Sequence, residues 1–312
     1  MSALIQGPGL PNLPWEDKPK GLREVVWRYS KNPIISWNPI PNGARAFNSA
    51  VIPYQDAFVG VFRIDHRNSR PLLHFGRSPD AVNWKLEPEA ILWVDEQGNP
   101  APTSYAYDPR LVKIDDVYYI TWCDDFPGPS IGLGMTRDFK TFIRMENPTM
   151  PFNRNGVLFP RKINGLYVML SRPSDSGHTP FGDIVLSYSP DLIYWGKHRH
   201  VMSSGGRNWW QATKIGAGPV PIETKEGWLL FYHGVTTTCN GFVYSMGAAL
   251  LARDEPEVSG FVPNVVFPCA TLVDAATGRI AIYYGAADTH TGIAFTQADE
   301  LLAYLKSNSE IS

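Results

Sequence analysis

Apolar and polar positions along this chain alternate in short runs with the two-residue period of strands, not the 3.6-residue period of helices. One arrangement recurs: a short extended segment, a polar turn, then an apolar strand that ends on polar side chains. It is read at 47–65 (FNSAVIPYQDAFVGVFRID), 107–125 (YDPRLVKIDDVYYITWCDD), 156–175 (GVLFPRKINGLYVMLSRPSD), 214–234 (KIGAGPVPIETKEGWLLFYHG) and 264–288 (NVVFPCATLVDAATGRIAIYYGAAD). The second strands of these copies start near Phe58, Val117, Leu166, Trp228 and Ile280. A repeat of roughly 50–60 residues suits a four-strand propeller blade better than the shorter solenoid repeats.

A second echo runs through GRSPDAVNWKL, GMTRDFKTFIRM and SYSPDLIYWGKH, which set Asp80 before Trp84, Asp138 before Phe142 and Asp191 before Trp195. This predicts the turn into the outer strand of a blade, with the aromatic packed between blades. Helical patterning is confined to TQADELLAYLKS, where Thr296 with Asp299 resembles a capping box and Ala298, Leu301, Leu302 and Leu305 form one apolar face. The expectation is an all-β chain, one five-bladed β-propeller domain over 1–312, with an N-terminal arm (about 1–27) and a short C-terminal helix (about 296–307). A pair of β-sandwiches is the alternative.

Composition changes this picture little. The formal charge of -2 gives no reason to expect nucleic acid or an anionic membrane as partner. The three cysteines, Cys123, Cys239 and Cys269, are too few and too widely spaced for a disulfide framework or a CxxC metal site. The start, MSALIQGPGLPNLPW, lacks a basic region followed by an apolar core, and no apolar run reaches 18 residues. A cytoplasmic setting is expected, with no membrane partner, and the Pro-rich arm before Trp27 offers a surface for a homo-oligomer. Ten Trp read either as core or as a sugar-binding surface. HRH at 198–200 puts His198 and His200 on one strand face without a third ligand, which reads as outer-strand surface; no metal site is expected.

In a propeller the inner strands surround one channel, so each repeat contributes to a shared mouth. Blade one offers Asn48, Ser49, Arg63 and Asp65, and blade two Tyr107 and Asp108. Blade three has Arg154, Arg172, Asp175 and His178; blade four has Lys214, His233 and Tyr244; blade five ends on Asp288. Together these predict a polar funnel containing acids and bases. Pro109 should hold Asp108 extended at the mouth of its strand.

The segments FNSAV, YDPR, PFNRNGVLFPRKING, LSRPSDSGHTPFGD, KIGAGPVP, YHGV, CNGFVYSMGAALL and VPNVVFPCA resemble glycoside hydrolase family 130, from about Trp15 to about Ile293. The resemblance implies an inverting β-mannoside phosphorylase, nearest the branch acting on β-1,4-mannooligosaccharides or mannosyl-N-acetylglucosamine and releasing α-mannose 1-phosphate. It implies Asp108 as catalytic acid, its proton passing through the mannosyl 3-hydroxyl. Arg154, Arg172, Lys214 and His233 would surround inorganic phosphate, a co-substrate, with no cofactor. Asn48, Ser49, Arg63, Asp65, Tyr107 and Asp288 would hold the mannosyl unit, and His178 and Tyr244 the acceptor side.

Two stretches, near 203–210 and 250–260, are shorter than the family implies. Either these loops are naturally trimmed, which would leave a blade without its outer strand, or residues are omitted, the reading favoured here; both bear on the acceptor-side loop around Arg207, Trp209 and Trp210. An inverting hydrolase needs two carboxyls, one acid and one base. Phosphate is already a nucleophile and needs only a cationic cradle, with Arg supplying forked donors and Lys a point charge. A β-mannosidase of the same family would carry carboxylates where these basic residues stand, and a silent carbohydrate-binding propeller would tolerate loss of Asp108 or the cradle.

Overall fold

Five sheets surround a common channel, antiparallel but for one parallel pair at the outer edge of the second, each running from the channel outwards largely in chain order. The structure, a computed structural model, describes residues 4–125, 128–175, 181–205, 209–239, 241–252 and 267–308. Blade one comprises Gly43–Tyr54, Ala57–His66, Pro71–Ser78 and Lys85–Ala90. Blade two comprises Ala106–Ile114, Val117–Asp125, Pro129–Thr136 and Phe142–Arg144, with Trp93–Val94 paired outside the last. In blade three the path is Asn153–Leu158, Tyr167–Asp175, Ile184–Ser189 and Gly196–Met202. Blade four pairs Lys214–Ala217 and Ile222–Thr224 on one edge of Gly227–Thr238 and Gly241–Leu251 on the other. No further strand lies outside it among the described residues; residues 206–208 and 253–266, where the short stretches fall, lie outside the description.

Blade five holds a correction to the expected arm. Phe267–Asp274, Arg279–Ala286 and His290–Gln297 supply its first three strands, and Val26–Arg28 supplies the outermost by pairing antiparallel with His290–Gln297. The arm therefore closes its own ring. Leu10, Leu13 and Trp15 pack with Trp27 and Phe295 between blades five and one, and Ile5 bridges to Thr224.

Each sheet is sandwiched between two others, so its middle strands are apolar on both faces. In Val117–Asp125 every residue except the last is buried. The buried side chains sort into five clusters, one at each junction between neighbouring blades. The Asp turns behave as expected: Asp80, Asp138 and Asp191 each accept backbone N–H groups ahead of the outer strand. Trp84, Phe142 and Trp195 pack into the junctions. Most tryptophans are structural; Trp27, Trp93, Trp122, Trp210 and Trp228 are buried. Trp210, expected in an acceptor loop, packs on Tyr232 between blades three and four. Only Trp37 and Trp209 are largely exposed.

The terminal helix, Ala298–Ser307, buries the expected face of Ala298, Leu301, Leu302 and Leu305. Its expected capping box does not form. The N-cap is Gln297, and the Thr296 hydroxyl donates to the Val25 carbonyl at the ring closure. Among the described residues no helix is long and apolar enough to cross a membrane.

Candidate active site

Asp108 sits where pairing between the first two strands of blade two breaks, between Tyr107 and Arg110. Its φ is +53°. That is the left-handed region, which short polar side chains tolerate best, and not the extended conformation expected ahead of Pro109. An unpaired residue bends a strand and re-aims its side chain. The same break recurs at Asn48 (φ +53°) in blade one and Asn155 (φ +55°) in blade three, and blade five is broken at Cys269.

These breaks bring side chains of different blades together. Asn48 Nδ2 donates to Asp108 Oδ1 at 2.8 Å, and Arg63 Nη1 donates to the same oxygen at 2.9 Å. With both donors on Oδ1, Oδ2 is left as the oxygen that can carry a proton. Arg63 also donates through Nε to Asp65 at 2.8 Å, and Arg45 donates to Asp65 at 2.9 Å. Burial works against the Arg63 charge, but Asp108 and Asp65 outweigh it and hold the guanidinium above its ordinary range. Asp65 thus stands one layer behind Arg63. Ser49 is fully buried, and among the described residues its hydroxyl has no hydrogen-bond partner.

A cavity of about 590 Å³ opens at this end of the channel. Asn48, Arg63, Tyr107, Asp108, Tyr244 and Asp288 line it, together with Phe242 and Phe267, which the sequence reading did not single out. Burial raises the Asp288 carboxyl; Arg63 opposes the shift, and the charges of Asp108 and Asp65 add to it. Burial likewise raises the Tyr107 phenol.

Beside this cavity stand three cations. Arg154 and Arg172 are paired across the first two strands of blade three. Arg154 Nε donates to the Tyr107 hydroxyl at 3.1 Å, and Arg172 Nη1 to His233 Nε2 at 3.2 Å. Lys214, at the start of blade four, holds Nζ 4.2 Å from the Phe242 ring centre and 5.8 Å from that of Tyr244. Burial first, then the charges of Arg172 and Arg154, lower the Lys214 ammonium to about 8. Among the described residues none of the three has a carboxylate partner.

His233 is fully buried behind Arg172, 4.3 Å from the Phe267 ring. Burial, then Arg172, Arg110 and Lys214, push it well below its usual range. It is neutral and accepts from Arg172 through Nε2. Asp175 ends its strand exposed, and the expected acceptor residues His178 and Arg207 lie outside the described residues. His198 bonds Ser187, and His200 reaches Asp183 at 3.2 Å, both on the outer strand of blade three.

Arg110 flanks the acid in sequence yet carries no expected role. Its buried guanidinium donates to the carbonyls of Asp108 (3.2 Å), Pro109 (3.0 Å), Ala217 (3.4 Å) and Gly218, tying the bulge of blade two to the first strand of blade four. Its role depends on the strand break, which exposes carbonyls that a buried guanidinium can satisfy.

A family model described as beta-1,4-mannooligosaccharide phosphorylase, of glycoside hydrolase family 130, matches residues 9–307. The chain is 51% identical to the beta-1,4-mannooligosaccharide phosphorylase of Ruminococcus albus over 333 aligned positions, covering 99% of each. That alignment is longer than the 312 residues of this chain, so the relative carries segments this chain lacks. It is 24% identical to a 4-O-beta-D-mannosyl-D-glucose phosphorylase of Bacteroides fragilis, covering 90% of this chain and 80% of that one. A solved beta-1,2-mannobiose phosphorylase from Listeria innocua, in complex with beta-1,2-mannobiose, superposes with a TM-score of 0.79 at 25% identity, over 90% of this chain and 99% of that one.

Proposed function

The chain belongs to glycoside hydrolase family 130, and from that premise we propose that it cleaves β-1,4-mannosidic bonds of mannooligosaccharides with inorganic phosphate, inverting the anomeric centre to give α-mannose 1-phosphate. One observation carries the phosphate reading: Arg154, Arg172 and Lys214 gather beside Asp108 without a carboxylate among the described residues to neutralise them. Gathering like charges in a partly buried site is unfavourable unless an anion completes it.

In this reading a phosphate dianion in the cradle attacks the anomeric carbon from the face opposite the leaving group. The C–O bond to the leaving sugar breaks as the new C–O–P bond forms. Asp108 Oδ2 supplies the proton that the leaving oxygen takes, through the mannosyl 3-hydroxyl as the family resemblance implies. The proton lost as the phosphate becomes a phosphomonoester returns to Asp108, so the step balances. Arg63, with Asp65 behind it, and Asn48 hold Oδ1; Tyr107 links the acid to the cradle through Arg154; Asp288 faces the mannosyl hydroxyls. His233 orients Arg172 from behind, and Tyr244 lies toward the acceptor. The three free thiols suit a cytoplasmic setting.

The test is phosphorolysis of β-1,4-mannobiose with and without phosphate, the product read by NMR. Phosphate-dependent α-mannose 1-phosphate is expected. Equal release of free mannose in phosphate-free buffer would sink the proposal in favour of a hydrolase.

A further inference from the structure

Asn48 holds Asp108, and Asn48 is itself held by a thiol. The break between Pro268 and Ala270 frees Cys269 from strand pairing. Its buried Sγ lies 3.5 Å from Asn48 Oδ1 and 3.2 Å from the Phe267 carbonyl. The thiol has one hydrogen, which those two oxygens share, and the backbone N–H of Gly285 lies near the sulfur. The other wall around Asn48 is Gly285, where an added Cβ would stand 1.9 Å from Asn48 Oδ1. Among the described residues no other side chain donates to that oxygen.

We propose that Cys269 is a positioning residue: its thiol fixes which way round the Asn48 carboxamide sits, so that Asn48 donates to Asp108 and does not accept the proton Asp108 has to deliver. The inference rests on the reading of Asp108 as the acid. With the amide reversed, Oδ1 would face the Asp108 carboxyl and the share of the thiol hydrogen that Oδ1 accepts would be lost to the Phe267 carbonyl. While Asp108 is ionised, repulsion between the two oxygens already forbids that arrangement. Once Asp108 is protonated, repulsion no longer does, and a reversed Asn48 would draw the carboxyl proton onto itself. The thiol opposes reversal in the one protonation state the reaction uses. Burial pushes this thiol up to about 12, so it stays a donor throughout the working range.

The experiment compares Cys269→Ala and Cys269→Val, which remove the donor, with Cys269→Ser, which keeps one. Ala is smaller than Cys and Val larger by about one methyl group, so the two bracket its volume, and the Val and Ser pair decides the matter if the Ala variant does not fold. For the donor-free variants kcat of phosphorolysis should fall about 3- to 10-fold, the weight of one neutral hydrogen bond, with the KM for phosphate within about twofold. The basic limb of the kcat–pH profile should move to higher pH, because a reversed Asn48 stabilises protonated Asp108. The Ser variant should recover most of the rate and the parent limb. Donor-free variants that melt like the parent and keep its kcat and pH limb would overturn the inference, as would a Ser variant as impaired as Val. Asp108→Asn is measured alongside: if it keeps parental activity the acid reading itself falls, whereas a flat Cys269 series with an inactive Asp108→Asn removes only the role of the thiol.

Discussion

Raising the pH from 7 to 9 should weaken phosphate binding about tenfold through Lys214 alone. Burial and the neighbouring Arg172 and Arg154 bring this ammonium from 10.5 to about 8. A group titrating there is about nine-tenths charged at pH 7 and about one-tenth at pH 9; phosphate itself becomes almost wholly dianionic over the same range, so KM is expressed per dianion. If only the charged form completes the cradle, the apparent KM expressed as phosphate dianion rises by the ratio of those fractions. Loss of a charge-assisted contact is worth about 1.5–3 kcal/mol, or about 10–150-fold, so the rise is not cut short within this range. Initial rates with phosphate varied at saturating mannobiose, from pH 6.5 to 10, would show the break. Lys214→Met should give a high KM without the break, and Lys214→Arg should keep its charge and remain flat. The stability sign is opposite. The folded state binds fewer protons than the unfolded one between about 8 and 10.5, so stability rises with pH across that window. Without phosphate, Lys214→Met should therefore melt higher at neutral pH, by about 1 kcal/mol once solvent screening of a half-exposed group is discounted. A parent KM that stays level from pH 7 to 9.5, or a break that survives in Lys214→Met, would refute the argument.

Asp108→Asn should lower turnover in both directions by about 10²–10⁴, the usual contribution of a positioned acid, with an unchanged thermal melt. Gly285→Ala should drive Asn48 off Asp108, because its Cβ would stand 1.9 Å from Asn48 Oδ1. A displacement near 1 Å can lower kcat by about 10²-fold, and steady-state kinetics on a folded variant would show it. Trp27→Ala removes a buried ring set edge-on to Trp15 at 5.3 Å. It should destabilise by about 3–5 kcal/mol in denaturant unfolding, the scale for a large aromatic removed from a core.

The repeats were legible because each blade states its strands in order, with Asp turns marking the outer ones. The strand Val26–Arg28 was not, since three residues among prolines and turns carry no period, and only its distant partner Ala294–Thr296 makes it a strand. Thr296 looked like a cap because its spacing to Asp299 is right; the same hydroxyl serves the ring closure, a tertiary demand that local pattern cannot register. Among candidate site residues, those facing the cavity were visible as polar strand ends. The supports were not. Cys269 and Arg110 act only because a strand breaks beside them, and nothing in FPCA or YDPR announces a break. Asp108 itself was expected extended, because the rule for residues before proline was applied without knowing that a bulge would claim the position.

The seam in blade five has a consequence for how the protein is made. Blades one to four consist of neighbouring segments and can assemble in the order the ribosome delivers them. Arg28 must wait for Ala294. At about 5–20 residues per second that wait is roughly 13–55 s, during which the Trp27 side chain has no strand to lie against. Translation halted anywhere in the last blade leaves a ring with two raw flanks open to chaperones and proteases. Closure hides both flanks at once, so the first and last strands of the ring become protected together.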